Sequence, residues 1–217
     1  MAGFDAILRR RYAAAAVGAT PLAAELRNLL ADWPADQEPM PGAPVSLPAC
    51  SHLAAALAAG RAGPEAALAQ AIAALAPALA WTYGYPARAG QPGLSAAIAF
   101  TQIVGPAGLL RSERLRVGLT LIAPGTDYPA HAHPAVETYL VVSGAALWRL
   151  GEQPSRVEPP GSLIFHPGGM AHAMRTWGEP LLAVYSWSGD VLSPSVYVDR
   201  QRAAAAPQER ASRARGA

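Results

Sequence analysis

Gly125-Thr-Asp-Tyr128-Pro-Ala-His131-Ala-His133-Pro-Ala-Val-Glu137-Thr-Tyr139-Leu-Val-Val-Ser-Gly144 gathers two of the chain's five histidines, one glutamate and two tyrosines into twenty positions. In extended backbone, residues two apart point to the same face. His131, His133, Glu137 and Tyr139 all stand at odd positions, and Pro129 and Pro134 keep the segment out of a helix. The stretch therefore reads as strands that aim imidazole, carboxylate and phenol at one interior, while Leu140 and Val142 pack outward against another layer. Two imidazoles and a carboxylate converging in a dry pocket make a metal site. His172 is the candidate for a third imidazole, because Gly161-Ser-Leu-Ile-Phe-His-Pro-Gly-Gly-Met-Ala171 reads as a strand and tight turn leading into it. His52 lies among helices, and His166, placed before a proline, reads as structural.

Around this segment the chain changes character near residue 81. Before it, apolar residues recur at helical spacing: Phe4, Ile7 and Leu8, then Leu22, Leu26 and Leu29, then Leu53 and Leu57, then Leu68, Ile72 and Leu75. Residues 1–80 read as about four short helices with a proline-rich loop over 33–51. After it come strand-length runs over 97–104, 115–122, 137–142, 145–150, 162–165, 171–175, 181–187 and 195–198, mostly separated by Gly or Pro turns. Many short strands with regular turns indicate a sandwich or barrel. The expected organisation is a helical region over 1–80, a barrel over 81–200 and a disordered basic tail over 201–217.

Composition removes several chemistries. All seventeen basic residues are arginine, so no lysine nucleophile or Schiff base exists. Cys50 is the single cysteine, which excludes an intrachain disulfide and a Cys-rich zinc site. The arginines are scattered, arguing against nucleic acid as a partner, and no apolar run of about 18 residues is present to span a membrane. Three arginines ahead of an alanine-rich run give the first residues a slight likeness to an export signal, but a helix is the better reading, and the cytoplasm is the expected location. The alanine-rich helices are scaffold and a candidate homodimer surface.

Gly125, five residues, His131-Ala-His133, three residues, Glu137, six residues and Gly144 match the first cupin motif at every fixed position. Gly161, five residues, Pro167-Gly-Gly169, two residues and His172 match the second, with Thr176 where an asparagine is usual. The finer pattern Tyr128-Pro-x-His131-x-His133-x-Ala135-x-Glu137-x-Tyr139, followed by Gly144 and Trp148, resembles the cupin-type dimethylsulfoniopropionate (DMSP) lyases over roughly residues 80–190. The resemblance implies a mainly β chain with a helical N-terminal region and a double-stranded β-helix barrel. It implies one divalent transition metal (iron, zinc, manganese or nickel) on His131, His133, Glu137 and His172. The implied reaction is β-elimination of DMSP to dimethyl sulfide and acrylate, with Tyr139 as base and Tyr128 beside metal and substrate.

A sulfonium favours an aromatic face. Tyr128, Trp148, Trp177 and Trp187 are the candidate substrate contacts, with Tyr185 also in the barrel half. Tyr139 could instead line the pocket with its hydroxyl on a neighbour, Tyr128 could simply pack at the barrel mouth, and Trp148 and Trp187 could be core. For the substrate carboxylate, Arg149 and Arg175 lie near the motifs, but their facing is not readable. The competing functions are a cupin oxygenase or isomerase on another small carboxylate or sugar, and a non-catalytic small-ligand binder.

Overall fold

The computed structural model describes residues 1–34, 38–40 and 42–198; the expected tail over 201–217 lies outside them. Four helices come first: α1 (Ala2–Ala15), α2 (Pro21–Ala31), α3 (Leu53–Arg61) and α4 (Ala66–Leu75). Helix α2 shows why they start where they do: Thr20 Oγ1 accepts the Ala23 N–H at 3.1 Å, and Pro21 follows at the first helical position. A single turn, α5 (Leu94–Ala97), precedes the barrel's long strands.

The strands are β1 (Trp81–Thr82), β2 (Ile98–Val104), β3 (Leu115–Ile122), β4 (Asp127–Ala132), β5 (Val136–Ser143), β6 (Ala146–Leu150), β7 (Arg156–Glu158), β8 (Leu163–His166), β9 (His172–Arg175), β10 (Leu181–Ser188) and β11 (Val196–Tyr197). They form two sheets, ordered β1-β2-β3-β10-β5-β8 and β11-β4-β9-β6-β7, with antiparallel pairing between neighbours throughout. This is the double-stranded β-helix expected from the motifs. Beyond the strand-length runs read from sequence, the sheets include β1, β7 and β4, the last being the extended segment that carries His131.

The six-stranded sheet is buried on both faces. Its outer face packs on the helices: Leu119 and Leu121 of β3, Leu140 and Val142 of β5, and Leu182 and Val184 of β10 share one core with Phe4, Leu8, Leu26, Leu29, Leu68 and Ile72. Leu140 and Val142 thus point outward against a helical layer, as their even numbering implied. Each fully buried leucine contributes about 1.5–3 kcal/mol, so the helices hold this sheet firmly. Its inner face, with Tyr139, Val141, Ala183, Tyr185 and Trp187, meets Tyr128, Trp148 and Met174 of the other sheet in a second core. Helix-to-barrel polar ties reinforce the contact: Tyr12 Oη bonds Ser186 Oγ at 2.7 Å, and Arg11 spans Glu65 at 2.8 Å and the Gly161 carbonyl at 3.0 Å. Among the described residues, no helix is long and apolar enough to cross a membrane.

Candidate metal and substrate site

Directly opposed residues in an antiparallel sheet share a face. The register of the six-stranded sheet therefore places the site residues on rungs. One rung runs Arg116–Trp187–Glu137–His166, and the next Gln102–Gly118–Tyr185–Tyr139–Ile164. Opposite them, His131 pairs with His172, and Tyr128 pairs with Met174. His133 follows directly after β4. The Pro167-Gly-Gly169 turn holds it there: the Gly169 N–H donates to the His133 carbonyl at 2.7 Å. A Cβ on Gly168 would lie 2.3 Å from the Pro134 carbonyl oxygen, so only glycine permits this approach.

Each of three histidines is aimed by its own neighbourhood. Nδ1 of His131, His133 and His172 faces the carbonyl of Pro129, Ala135 and Met170 at 2.9, 3.1 and 3.0 Å. Donating Nδ1–H to a carbonyl fixes the tautomer and leaves Nε2 as a lone pair. The Nε2 atoms of His133 and His172 both lie 3.1 Å from Glu137 Oε2. In His172 that atom is buried and has no hydrogen-bond partner of acceptable geometry. Lone pairs converging on an anionic oxygen are satisfied by positive charge between them, a metal ion or protons on the rings. His133, Glu137 and His172 place their ligand atoms within 4.8 Å of one another, so these residues fit a metal ion. His131 stands beside the trio, its ring 4.1 Å from that of His172, but outside that mutual distance.

Glu137 has further partners. Trp187 Nε1–H donates to Oε1 at 2.6 Å, and His166 Nδ1 lies 3.1 Å from Oε2. Trp148 Nε1–H donates to His166 Nε2 at 3.1 Å. That bond occupies the acceptor nitrogen of His166, which makes Nδ1 its donor and turns His166 into a support of Glu137 rather than another ligand. Sequence reasoning set His166 aside; its pairing with Glu137 across β5 and β8 is what brings it in.

Burial raises the Glu137 carboxyl, but the neighbouring imidazoles of His133, His166 and His172 outweigh it and hold the group well below the ordinary carboxylate value. Burial, then the neighbouring His172, pushes His131 well below the ordinary imidazole value; the same causes bring His166 to about 4. Burial, then the Glu137 charge, raises Tyr139 well above the ordinary phenol value. The site as arranged thus holds a carboxylate, neutral His131 and His166, and a phenol.

A cavity of about 220 Å³ opens onto this cluster and is lined by His131, His133, Glu137, Tyr139 and Trp187. Tyr185 also lines it, held by a 3.2 Å bond from its hydroxyl to the Thr101 carbonyl. The other expected contacts are placed elsewhere. Trp177 is 46% exposed and outside the cavity wall, because it sits in the turn ahead of Gly178 and Pro180. Trp148 is buried next to His166, with its ring in T-shaped contact with that of Tyr139 at 5.2 Å. Tyr128 lies behind His131, stacked on it at 4.0 Å, and its hydroxyl bonds that of Tyr85 at 2.5 Å. The wall position belongs to Tyr85, which also donates to Ser195 Oγ at 2.8 Å.

Trp187 is in the wall, but its indole already stacks on His133 at 3.9 Å and carries the Arg116 guanidinium at 4.6 Å. Arg149 and Arg175 line a separate depression with Asp127 and Ala173; the arginine in the cavity is Arg116. Neither Tyr85 nor Arg116 falls in a motif, so only the fold could identify them. Thr176, at the departure from the second motif, is buried, donates to the Ala123 carbonyl at 2.6 Å and accepts the Thr126 N–H at 3.0 Å. It ties the β3–β4 turn to the end of β9.

The model of the dimethylsulfoniopropionate lyase family matches residues 23–183. The chain is 38% identical over 144 residues to DddL of Cereibacter sphaeroides, whose name assigns it provisionally as a DMSP lyase; the match covers 65% of this chain and 60% of that protein. It is 36% identical over 89 residues to the DMSP lyase DddQ of Ruegeria pomeroyi, covering 41% of this chain and 44% of that protein. The chain therefore spans less than two thirds of the length of these curated relatives. In three dimensions it resembles a chain from crystal structures of the DMSP lyases RdDddP and RnDddQII, with TM-score 0.74, 28% identity, and 91% and 97% of the two chains covered. The DddQ crystal structure from Ruegeria pomeroyi gives TM-score 0.68, 27% identity, and 90% and 96% coverage.

Proposed function

The chain belongs to the dimethylsulfoniopropionate lyase family, and from that premise we propose that it cleaves DMSP, or a close β-substituted propionate, to dimethyl sulfide and acrylate. The observation that supports this most directly is the placement of Tyr139, one rung from Glu137 and facing the same cavity. Tyr139, as phenolate, takes the proton α to the carboxylate. The C–H electrons form the C=C bond, the C–S electrons leave with sulfur, and dimethyl sulfide departs as a neutral thioether that needs no acid. This suits a cavity with no lysine and a single carboxylate in its wall.

The proposed metal ligands are His133, Glu137 and His172, with His131 beside them as the fourth. Imidazole and carboxylate donors accept iron, manganese, nickel or zinc. A divalent cation held there supplies Lewis-acid stabilisation for charge developing on the substrate carboxylate. Tyr139 needs help to ionise, since burial and Glu137 hold it as phenol. A sulfonium entering the cavity provides part of that help by favouring the phenolate. Tyr128 acts from behind His131 as a positioning residue, and Tyr85, Phe100 and Tyr185 offer the cavity's aromatic surface.

The test is dimethyl sulfide in the headspace over purified protein given DMSP, before chelation, after chelation and after metal return. Release that requires metal and falls about 10²–10⁴-fold in Tyr139→Phe is the expected result. Metal-loaded, folded protein that releases nothing would remove the substrate assignment, and full activity in Tyr139→Phe would remove the base.

A further inference from the structure

We propose that Arg116 is a carboxylate-binding point in the cavity wall, separate from the histidine–glutamate cluster, which captures the anionic end of a small zwitterion and so sets the direction in which it binds. The substrate class, though not the anion site itself, rests on the reading above. Arg116 lies on β3, faces the cavity, and shares a rung with Trp187 and Glu137. Its Nε–H is buried and has no acceptor, and among the described residues its guanidinium makes no hydrogen bond or ion pair. Elsewhere, Arg11, Arg114 and Arg175 each rest on a carboxylate, of Glu65, Asp32 and Asp127. Asp190 feels the Arg116 charge, but its oxygens are engaged by the Ser193 hydroxyl at 2.7 Å, the Ser193 N–H at 2.9 Å and the Leu192 N–H at 3.2 Å.

A buried donor on a permanently charged group is costly to leave unmet. The guanidinium is also held in place: it stacks at 4.6 Å over Trp187, whose N–H is fixed on Glu137. A planar donor fork so positioned matches a carboxylate bidentately. The same charge repels a sulfonium. With Trp187 already stacked on His133 and Arg116, the cation is directed to Tyr85, Phe100 and Tyr185, which also line the cavity. A carboxylate has lone pairs on both oxygens, so binding Arg116 leaves it able to engage the metal cluster.

The experiment uses metal-loaded protein, matched for metal content, as wild type, Arg116→Lys and Arg116→Met. Binding of propionate, and of propionamide as its neutral counterpart, is measured by titration calorimetry, alongside KM and kcat for DMSP. Arg116→Met should weaken propionate roughly 10- to 100-fold, leave propionamide unchanged, and raise KM more than it lowers kcat. Arg116→Lys should recover part of the propionate affinity. Propionate binding that is absent in wild type, or equal in wild type and a folded Arg116→Met, overturns the proposal. If wild type binds propionate through Arg116 but does not cleave DMSP, the lyase reading fails and the anion site stands; if it cleaves DMSP with KM indifferent to Arg116→Met, the anion site fails and the lyase reading stands.

Discussion

Replacing His166 by phenylalanine isolates the chain Trp148–His166–Glu137. The substitution keeps an aromatic ring of similar breadth and removes both ring nitrogens. Glu137 Oε2 loses a buried donor at 3.1 Å, and Trp148 Nε1–H loses its acceptor at 3.1 Å. A hydrogen bond to a charged group contributes about 1.5–3 kcal/mol, and an orphaned buried donor costs about 1–3 kcal/mol. Together they put the loss at about 2.5–6 kcal/mol, a large share of the 5–15 kcal/mol typical of a domain. Trp148→Phe should cost less through hydrogen bonding, about 1–3 kcal/mol, because it orphans the buried His166 Nε2 but leaves His166 on Glu137.

The assay is urea denaturation of metal-free protein for both single variants and the double variant, followed by metal competition against a chelator. The two substitutions share one chain, so their costs should not add: a coupling of about 1 kcal/mol or more is expected. Metal affinity in His166→Phe should fall about 10- to 100-fold, the usual effect of losing a ligand's hydrogen-bonded support. Additive costs, or a His166→Phe protein as stable and as metal-retentive as wild type, would refute the idea that this chain holds Glu137 in place.

Other expectations follow from the same packing. Gly118→Ala would set a Cβ 1.7 Å from the Thr101 carbonyl oxygen and 2.8 Å from the Tyr185 ring; a loss of about 1–3 kcal/mol or more, read as a lower Tm, is expected along with weaker substrate binding. Glu25 in α2 is raised above its ordinary value by burial, against the lowering effect of its bonds from Ser188 and Asn28. The folded state therefore binds its proton more tightly than the unfolded chain, so its contribution to stability is greatest below the ordinary value of 4.5 and is lost as pH rises through the raised value. Glu25→Gln should accordingly melt higher than wild type at neutral pH, with the gap closing as pH falls toward 4.5; a gap independent of pH would contradict this. Trp177→Ala should leave KM within about twofold, as expected for an exposed side chain outside the cavity.

What the sequence disclosed of this site is what depends on local geometry. The odd numbering of Glu137 and Tyr139 gave their common face because β5 pairs without interruption over 136–141, and Pro129 and Pro134 marked the extended path through His131 and His133. The spacing of the second motif led to His172 because the Pro167-Gly-Gly169 turn is itself a local device. His166 and Arg116 were not legible for a different reason. Each owes its place to register between strands distant in sequence: β8 on β5, and β3 on β10. Strand β3 is also buried on both faces, so its apolar run conceals which parity meets the cavity. The position of Trp177 outside the cavity wall was illegible for the same reason, since aromatic character marks a side chain as able to bind a cation but says nothing about which side of a turn it occupies.

The site is shared between the two sheets, and the sharing has an energetic consequence. His131 and His172 come from the five-stranded sheet, with His133 just beyond β4; Glu137, Tyr139 and His166 come from the six-stranded sheet braced by the helices. The three histidines on backbone carbonyls are aimed within their own segments, so their direction requires no long-range contact. Glu137 is the opposite case, clamped by Trp187 from one neighbouring strand and His166 from the other. Folding therefore brings the imidazole lone pairs against a carboxylate that cannot turn away. With the rings of His133 and His172 in their neutral forms, the two halves would meet lone pair to lone pair until a cation lay between them. In such an arrangement the affinity for a cation and the stability of sheet closure are one free energy. Under the proposed metal reading, the rigid side would determine where an ion sits, and the locally aimed histidines would determine that it is bound.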